Sequence, residues 1–242
     1  MYSRKLIIFL FFILILISNK SFAQIFIQPQ GGAIWNKSKV VKSIPYLVNF
    51  FDSQPYFGLT VGKRKNKIEQ SLSYAYYPIG VDFLIKNFPY YAYGWGTKYM
   101  DTHNISYDFS YNVLHWKRLD VKTGLSARLC TSKSTWPSTK VGGGSTVNYD
   151  SLEIIGQYNA TAYERTQLLF EPHIDIDIRL AKRIAWTTHW GYIFGNKNIY
   201  ILESKYVING VQQPAASVKV DGTAVPITMG FKFYFKQKKP KE

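Results

Sequence analysis

The sequence predicts an all-β chain, an eight-stranded antiparallel up-and-down transmembrane β-barrel. Three observations predict it. Stretches in which every second residue is apolar recur along the chain, which is the period of a strand with one apolar and one wet face. The connections between eight such stretches alternate short and long without exception. Beyond residue 23 no apolar run approaches the roughly 20 residues a membrane-spanning helix needs. A membrane chain of this kind must therefore cross as a closed ring of strands, since lipid leaves no other way to satisfy backbone polar groups.

The first 23 residues read as a secretory leader rather than structure. Arg4 and Lys5 supply a charged start, residues 6–17 are uninterruptedly apolar, and Ser21-Phe22-Ala23 places small residues at the cleavage-defining positions. An uncleaved anchor is the alternative, but the apolar run is short for a spanning helix. The barrel is expected over residues 24–236, with a basic tail at 237–242. The single cysteine, Cys130, can form no internal disulfide.

The first strand, expected at 25–35, is the least regular, because Pro29 and the Gly31-Gly32 pair interrupt it. The second and third, 55–62 and 67–77, flank a lysine-rich turn. In the fourth, 103–113, Ile105, Tyr107, Phe109, Tyr111 and Val113 interleave with Ser106, Asp108, Ser110 and Asn112. The fifth spans 119–130. In the sixth, 167–180, Pro172, Ile174, Ile176, Ile178 and Leu180 alternate with Glu171, His173, Asp175, Asp177 and Arg179. The seventh, 184–194, sets Ile184, Trp186, Trp190, Tyr192 and Phe194 against Ala185, Thr187, His189 and Gly191. The eighth, 224–236, is the clearest: Val225, Ile227, Met229, Phe231, Phe233 and Phe235 form one apolar face. In an exported chain rich in tyrosine, phenylalanine and tryptophan, such a face suits lipid.

Connections 63–66, 114–118 and 181–183 are short, while 36–54, 78–102, 131–166 and 195–223 are long. Short periplasmic turns and four long extracellular loops alternate this way in a transmembrane barrel, and an even strand number puts both termini on the periplasmic side. Charge agrees. Removing Arg4, Lys5 and Lys20 from the formal +15 leaves +12, and the short turns (counting Lys67 at the edge of the first) with the tail from Lys236 carry +11 of it. Arg64, Lys65, Lys117 and Arg118 belong to this basic collar, which suits anionic headgroups or an acidic periplasmic partner. The sequence pI of 9.7 would also suit nucleic acid, but an exported barrel does not meet it.

At Thr228-Met229-Gly230-Phe231-Lys232-Phe233-Tyr234-Phe235 the spacing resembles the C-terminal β-signal of outer-membrane β-barrel proteins: polar, any, Gly, two of any, aromatic, any, aromatic. Thr228, Gly230, Phe233 and Phe235 occupy the defining positions, and the departure is the basic tail beyond Phe235. The resemblance implies insertion by the barrel assembly machinery into bacterial outer-membrane lipid. The mature chain as a whole resembles small eight-stranded barrels of OmpA or OmpX shape. Its leader ending Ala-Gln and its tyrosine, lysine and asparagine content are similar to those of such proteins from the Bacteroidota. The resemblance carries no functional residues with it.

The inward polar residues are Glu69, Asp108, Lys122, Arg128, Glu171, His173, Asp175, Asp177, Arg179, His189 and Lys232. An eight-stranded barrel is just wide enough for side chains to fill, and buried charges persist there only when paired. A salt-bridged plug follows, which disfavours a channel. His189 neighbours His173 and Asp175 in either of two registers, with Ile178 opposite Ile184 or shifted by two residues. Two imidazoles and a carboxylate can ligate a transition metal or form an oriented base, or simply be a hydrogen-bonded part of the plug, which is the reading adopted. Barrel lipid A deacylases carry His-x-Ser on a late strand, and here His189-Trp190-Gly191 lacks the serine. No catalytic, cofactor or metal residue is therefore assigned.

The second long loop packs aromatics at Tyr90, Tyr91, Tyr93 and Trp95, a density that marks an interface or an extension of the aromatic girdle. The third, with Gly142-Gly143-Gly144, reads as flexible surface. Two function classes remain. One is a non-enzymatic barrel, structural or an accessory subunit of a larger outer-membrane complex, holding outer-membrane or periplasmic proteins by its loops or collar. The other is a lipid-modifying or metal-dependent enzyme using His189 and His173.

Overall fold

The computed structural model describes residues 23–42, 47–50, 53–79, 82–85, 93–95, 100–135, 140–149 and 152–235. Residues 1–22 of the leader and the basic tail lie outside the described residues, as do Tyr90 and Tyr91. The strands are β1 (Gln24–Lys42), β2 (Leu47–Phe50), β3 (Ser53–Lys65), β4 (Ile68–Ile79), β5 (Asp82–Ile85), β6 (Tyr93–Trp95), β7 (Met100–Trp116) and β8 (Leu119–Ser134). They continue as β9 (Lys140–Tyr149), β10 (Leu152–Ala162), β11 (Arg165–Ala181), β12 (Ile184–Gly191), β13 (Tyr200–Ile208), β14 (Val211–Gln212) and β15 (Ala216–Tyr234).

Eight of these close a ring, β1-β3-β4-β7-β8-β11-β12-β15 and back to β1, each neighbouring pair antiparallel. Each expected strand overlaps one member of the ring, although the seventh, expected to run to residue 194, ends at Gly191 with only isolated bridges beyond. A closed ring has no exposed edge. Three two-residue turns join ring strands at one end: Asn66-Lys67, Lys117-Arg118 and Lys182-Arg183. Asn66 and Lys117 adopt positive φ of 55° and 50°, the backbone twist a two-residue hairpin demands. β1 runs without a break through Pro29. Its ladder to β15 passes from Ile27↔Phe233 directly to Gln30↔Gly230, so proline's missing N–H falls where no pairing is drawn upon.

The alternation sorts side chains as read. Every ring strand presents an exposed apolar residue outward: Ile25, Phe57, Tyr74, Phe109, Leu125, Phe170, Trp190 and Phe231. The polar partners turn inward, with Thr228, Lys122 and Lys232 each 1% exposed. A soluble barrel has the opposite polarity. This one is built for a lipid surround.

Two features differ from the sequence reading. The ring strands run past residues expected to be loop, and residues 140–149, expected to be flexible, form β9. It pairs with β10, which pairs with β13, which pairs with the first five residues of β15. Backbone pairing satisfies this segment despite its three glycines, which a sheet edge tolerates. β2, β5 and β6 form a separate small sheet. The second difference is inside. Toward the long-loop end the interior holds a buried apolar cluster that includes Ile34, Tyr56, Tyr77, Ile79, Met100, Leu169, Ile193, Leu202 and Val220, with uncharged polar residues such as Asn36, Thr102, Asn104 and Gln167 buried beside it. The charged plug lies on the turn side, and there Phe26, Ala185 and Tyr234 form a small apolar cluster of their own.

The seam between first and last strands depends on two glycines. A Cβ on Gly32 would overlap the Ile227 carbonyl oxygen, and one on Gly230 the Pro29 carbonyl oxygen, while one on Gly31 would sit an ordinary 3.7 Å from the Tyr56 carbonyl. Gly32→Val and Gly230→Val are thus expected to abolish the folded, SDS-resistant band seen before boiling. Gly31→Ala should keep it. Equal behaviour of the three variants would contradict this account of closure.

Candidate functional site

The period-two pattern of β11 sends Pro172, Ile174 and Leu180 outward and Glu171, His173, Asp175 and Asp177 inward. Its neighbour β8 contributes Lys122, Ser126 and Arg128 to the same interior, and β12 contributes Thr187 and His189. Across the lumen stand Glu69 of β4, Asp108 and Ser110 of β7, and Lys232 of β15. Two glycines make room. A Cβ on Gly124 would run into the His173 ring, and one on Gly191 into the Glu171 carboxylate.

The β11–β12 register settles the choice the sequence left open. Asp175 faces His189, and His173 faces Gly191, with an irregularity between Arg179 and Ala181 that shifts the pairing. His189 Nδ1 lies 2.7 Å from Asp175 Oδ1 and Nε2 lies 2.9 Å from Glu171 Oε1. Both nitrogens face carboxylates, and a neutral imidazole can donate from only one. His189 is an imidazolium in this arrangement.

From there a single chain of alternating charge crosses the lumen. Arg128 pairs with Glu171, Glu171 with His189, and His189 with Asp175. Lys122 Nζ is 3.8 Å from Asp175, 2.9 Å from Asp177 and 3.1 Å from Glu69. Lys232 Nζ closes the sequence at 2.6 Å from Glu69 and 3.2 Å from Asp177. Four cations (Arg128, His189, Lys122, Lys232) meet four carboxylates (Glu171, Asp175, Asp177, Glu69), so the chain is neutral. Neutrality matters because an uncompensated buried charge costs several kcal/mol. Asp108 stands apart from it, held by hydroxyls of Ser71, Ser73 and Ser106 at 3.2, 2.6 and 3.2 Å.

A second knot sits at the turn end, and sequence reasoning missed its centre. Asp120 accepts from Arg64 at 2.7 Å, from Asn112 at 2.9 Å and from His115 at 2.5 Å, with Arg179 3.6 Å away. Arg64, expected in the exposed collar, instead turns inward. It shares the inward parity of Thr60 and Gly62, while Lys63 and Lys65 take the outward one. Arg179, expected among the lumen-facing residues, is half-exposed at this end. The parity rule that placed Glu69 and Lys122 was enough to place Arg64 and Asp120 as well. Lys65, Lys117 and Arg118 are exposed as collar residues, and Phe233 and Phe235 face outward. Tyr93 and Trp95 fall in β6.

His173, Asp175 and His189 offer three metal-ligating atoms all within 4.8 Å of one another. A divalent ion there would have to displace the His189 proton and its bond to Asp175. His173 is bonded by Ser110 at Nε2, 3.0 Å, and Ser126 at Nδ1, 3.1 Å. That resembles a serine–histidine couple, but Asp175 lies 3.8 Å from the same Nε2 that Ser110 occupies, so no acid orients the ring for proton transfer. The cavity beside these groups measures about 30 Å³, room for a water or two and for no substrate.

No protein-family model and no curated protein sequence matches the chain. Among solved structures, the fold is similar to that of the outer membrane protein OprG from Pseudomonas aeruginosa. The TM-score is 0.52 at 14% identity, covering 89% of this chain and 97% of that one. Neisserial surface protein A aligns at TM-score 0.46 and 9% identity, covering 87% and 97%. A major outer membrane protein from Thermus thermophilus aligns at 0.46 and 10%, covering 89% and 100%. The likeness to OprG is one of fold: the chain has the architecture of a bacterial outer-membrane β-barrel.

The two histidines should separate in stability. His189→Gln removes one of four cations from a neutral buried chain and is expected to cost about 3–5 kcal/mol. His173→Gln exchanges two bonds to serine hydroxyls and should cost about 1 kcal/mol. Urea unfolding in detergent micelles reads both, and equal losses would contradict the charge chain.

Proposed function

We propose that the protein is a non-enzymatic outer-membrane β-barrel, inserted with its short turns and both termini toward the periplasm. It serves as a structural or accessory subunit of a larger outer-membrane complex. The observation that carries this reading is the filled interior. A neutral charge chain occupies the turn-side half and a largely apolar core the other, and the cavity beside the charge chain is about 30 Å³. Among the described residues the space beside the histidines has no room for a substrate. The larger concavity of about 540 Å³, lined by Arg64, Asn112, His115 and Arg179, lies at the turn-end mouth, so this reading puts recognition on the ends and outer surfaces. The strands β9, β10 and β13, which continue the sheet beyond the ring, and the exposed basic turns are the surfaces available for it.

The second reading, a metal-dependent activity at His189 and His173, draws on their three clustered donor atoms. It requires a metal in stoichiometric amount in protein prepared without chelator.

The deciding experiment is extraction from isolated outer membranes in mild detergent, followed by mass spectrometry of what remains bound. Defined proteins at a fixed ratio are the expected result. A lone monomer overturns the accessory-subunit reading, and one equivalent of zinc or iron in that monomer would establish the second reading in its place. Recovery in the aqueous fraction without detergent overturns the membrane location itself.

A further inference from the structure

The outward row of β3 descends Phe57, Leu59 and Val61, all exposed and apolar, and then reads Lys63 and Lys65. The register fixes what stands level with these lysines. Lys63 lies opposite Ile25 on one side and Gln70 on the other, and Gln70 lies opposite Phe109. Lys65 lies opposite Ile68, which lies opposite Tyr111. Ile25, Phe109, Ile68 and Tyr111 are 52%, 42%, 41% and 43% exposed, members of the apolar outer band. Two ammonium groups therefore sit on the lipid-facing wall, in rows whose other members are largely apolar.

A lysine at that level keeps its apolar stem against the wall and sends its charge to the interface, where headgroup anions lie. Lys67, in the adjoining turn, reaches over the Tyr111 ring, with Nζ 5.9 Å from the centroid. These groups enclose a pocket on the outer wall, lined also by Ala23, Asn66, Ile68 and Gln70, and no acidic side chain is among the described residues that line it. Arg64, the one other cation of this turn, is turned inward to Asp120 and does not contribute. The result is three ammoniums, two side-chain amides and a tyrosine around a concavity that opens onto an apolar wall.

We propose that this pocket binds the phosphate of an anionic phospholipid, with the acyl chains lying along Val61, Ile68 and Phe109. The proposal rests on the membrane location inferred above, and it gives the basic turns different tasks. The β3–β4 turn grips a lipid, whereas Lys117-Arg118 and Lys182-Arg183 carry their charge at the turn tips, and Lys117 lies over its own neighbour Trp116 at 5.5 Å. Lipid phosphate is favoured over free phosphate because the apolar floor of the pocket gains only from an acyl chain.

The test uses full-length mature protein refolded in a nonionic detergent and titrated with short-chain phosphatidylglycerol, read by native mass spectrometry. One tightly retained lipid is expected, with phosphatidylcholine not retained. The K63Q/K65Q/K67Q variant should lose about a hundredfold in affinity at low salt, taking about 1 kcal/mol for each basic residue near the surface. A K117Q/R118Q/K182Q variant, which removes the same number of charges elsewhere, should bind as the parent does. Equal losses in the two variants overturn the proposal in favour of diffuse attraction. Displacement by inorganic phosphate at the lipid's own concentration overturns it in favour of a plain anion site. All versions are compared in the same detergent, so either result is independent of which membrane or leaflet the protein occupies.

Discussion

The interior depends on one bridging ring. His189 lies between Glu171 and Asp175, 2.9 and 2.7 Å from them, and as an imidazolium it joins the Arg128–Glu171 pair to the lysine–carboxylate cluster beyond. Without its charge the chain would hold four carboxylates against three cations in a space almost sealed from water. Buried ion pairs are poor sources of net stability, since desolvation offsets most of the attraction. What this chain supplies is selection. Its members come from β4, β8, β11, β12 and β15, and a two-residue slip between β11 and β12 would put His173 opposite His189 and break the sequence of charges. Lys232 extends the same constraint to the last strand, reaching Glu69 on the other side of the β1–β15 seam.

That dependence explains which parts of the molecule were legible beforehand. The number of ring strands and the facing of most of their residues follow from a period of two, a local property of the chain, and their order from the alternation of short and long connections. The lumen residues from Glu69 to Lys232 were named on parity alone. The choice between registers was not legible. Both kept the same faces, and only the three-dimensional neighbourhood of Glu171, opened by Gly191, decides between them. Arg64 and Asp120 were legible and overlooked, since attention to a run of basic residues hid the alternation running through it. The β9–β10 hairpin was illegible for a different reason: three consecutive glycines carry no facing signal at all.

The change of interior polarity along the barrel axis has the same origin. The inward row of β4 reads Glu69, Ser71, Ser73, Ala75, Tyr77, Ile79, from charged to polar to apolar within one strand. Inward residues near the short turns meet other polar residues and pair with them. Those near the loops meet Ile193, Leu202 and Val220, brought in by the segments that extend past the ring. The loops therefore do more than connect strands, because they complete the core of the half they leave. In the reading proposed above, interaction falls to the outer wall and the two ends of such a barrel.

The outer wall carries the last consequence of alternation. Lys63, Arg64 and Lys65 are consecutive and chemically alike, yet the pleat sends the first and third toward lipid and the second toward Asp120. One run of positive charge thus performs two separate tasks, and they separate experimentally. Removing Arg64 leaves Asp120 with weaker partners at the mouth of the lumen and acts on stability, while removing the lysines leaves the interior untouched and acts on what adheres to the wall. The net charge of the turn predicts neither effect. The parity of each residue predicts both.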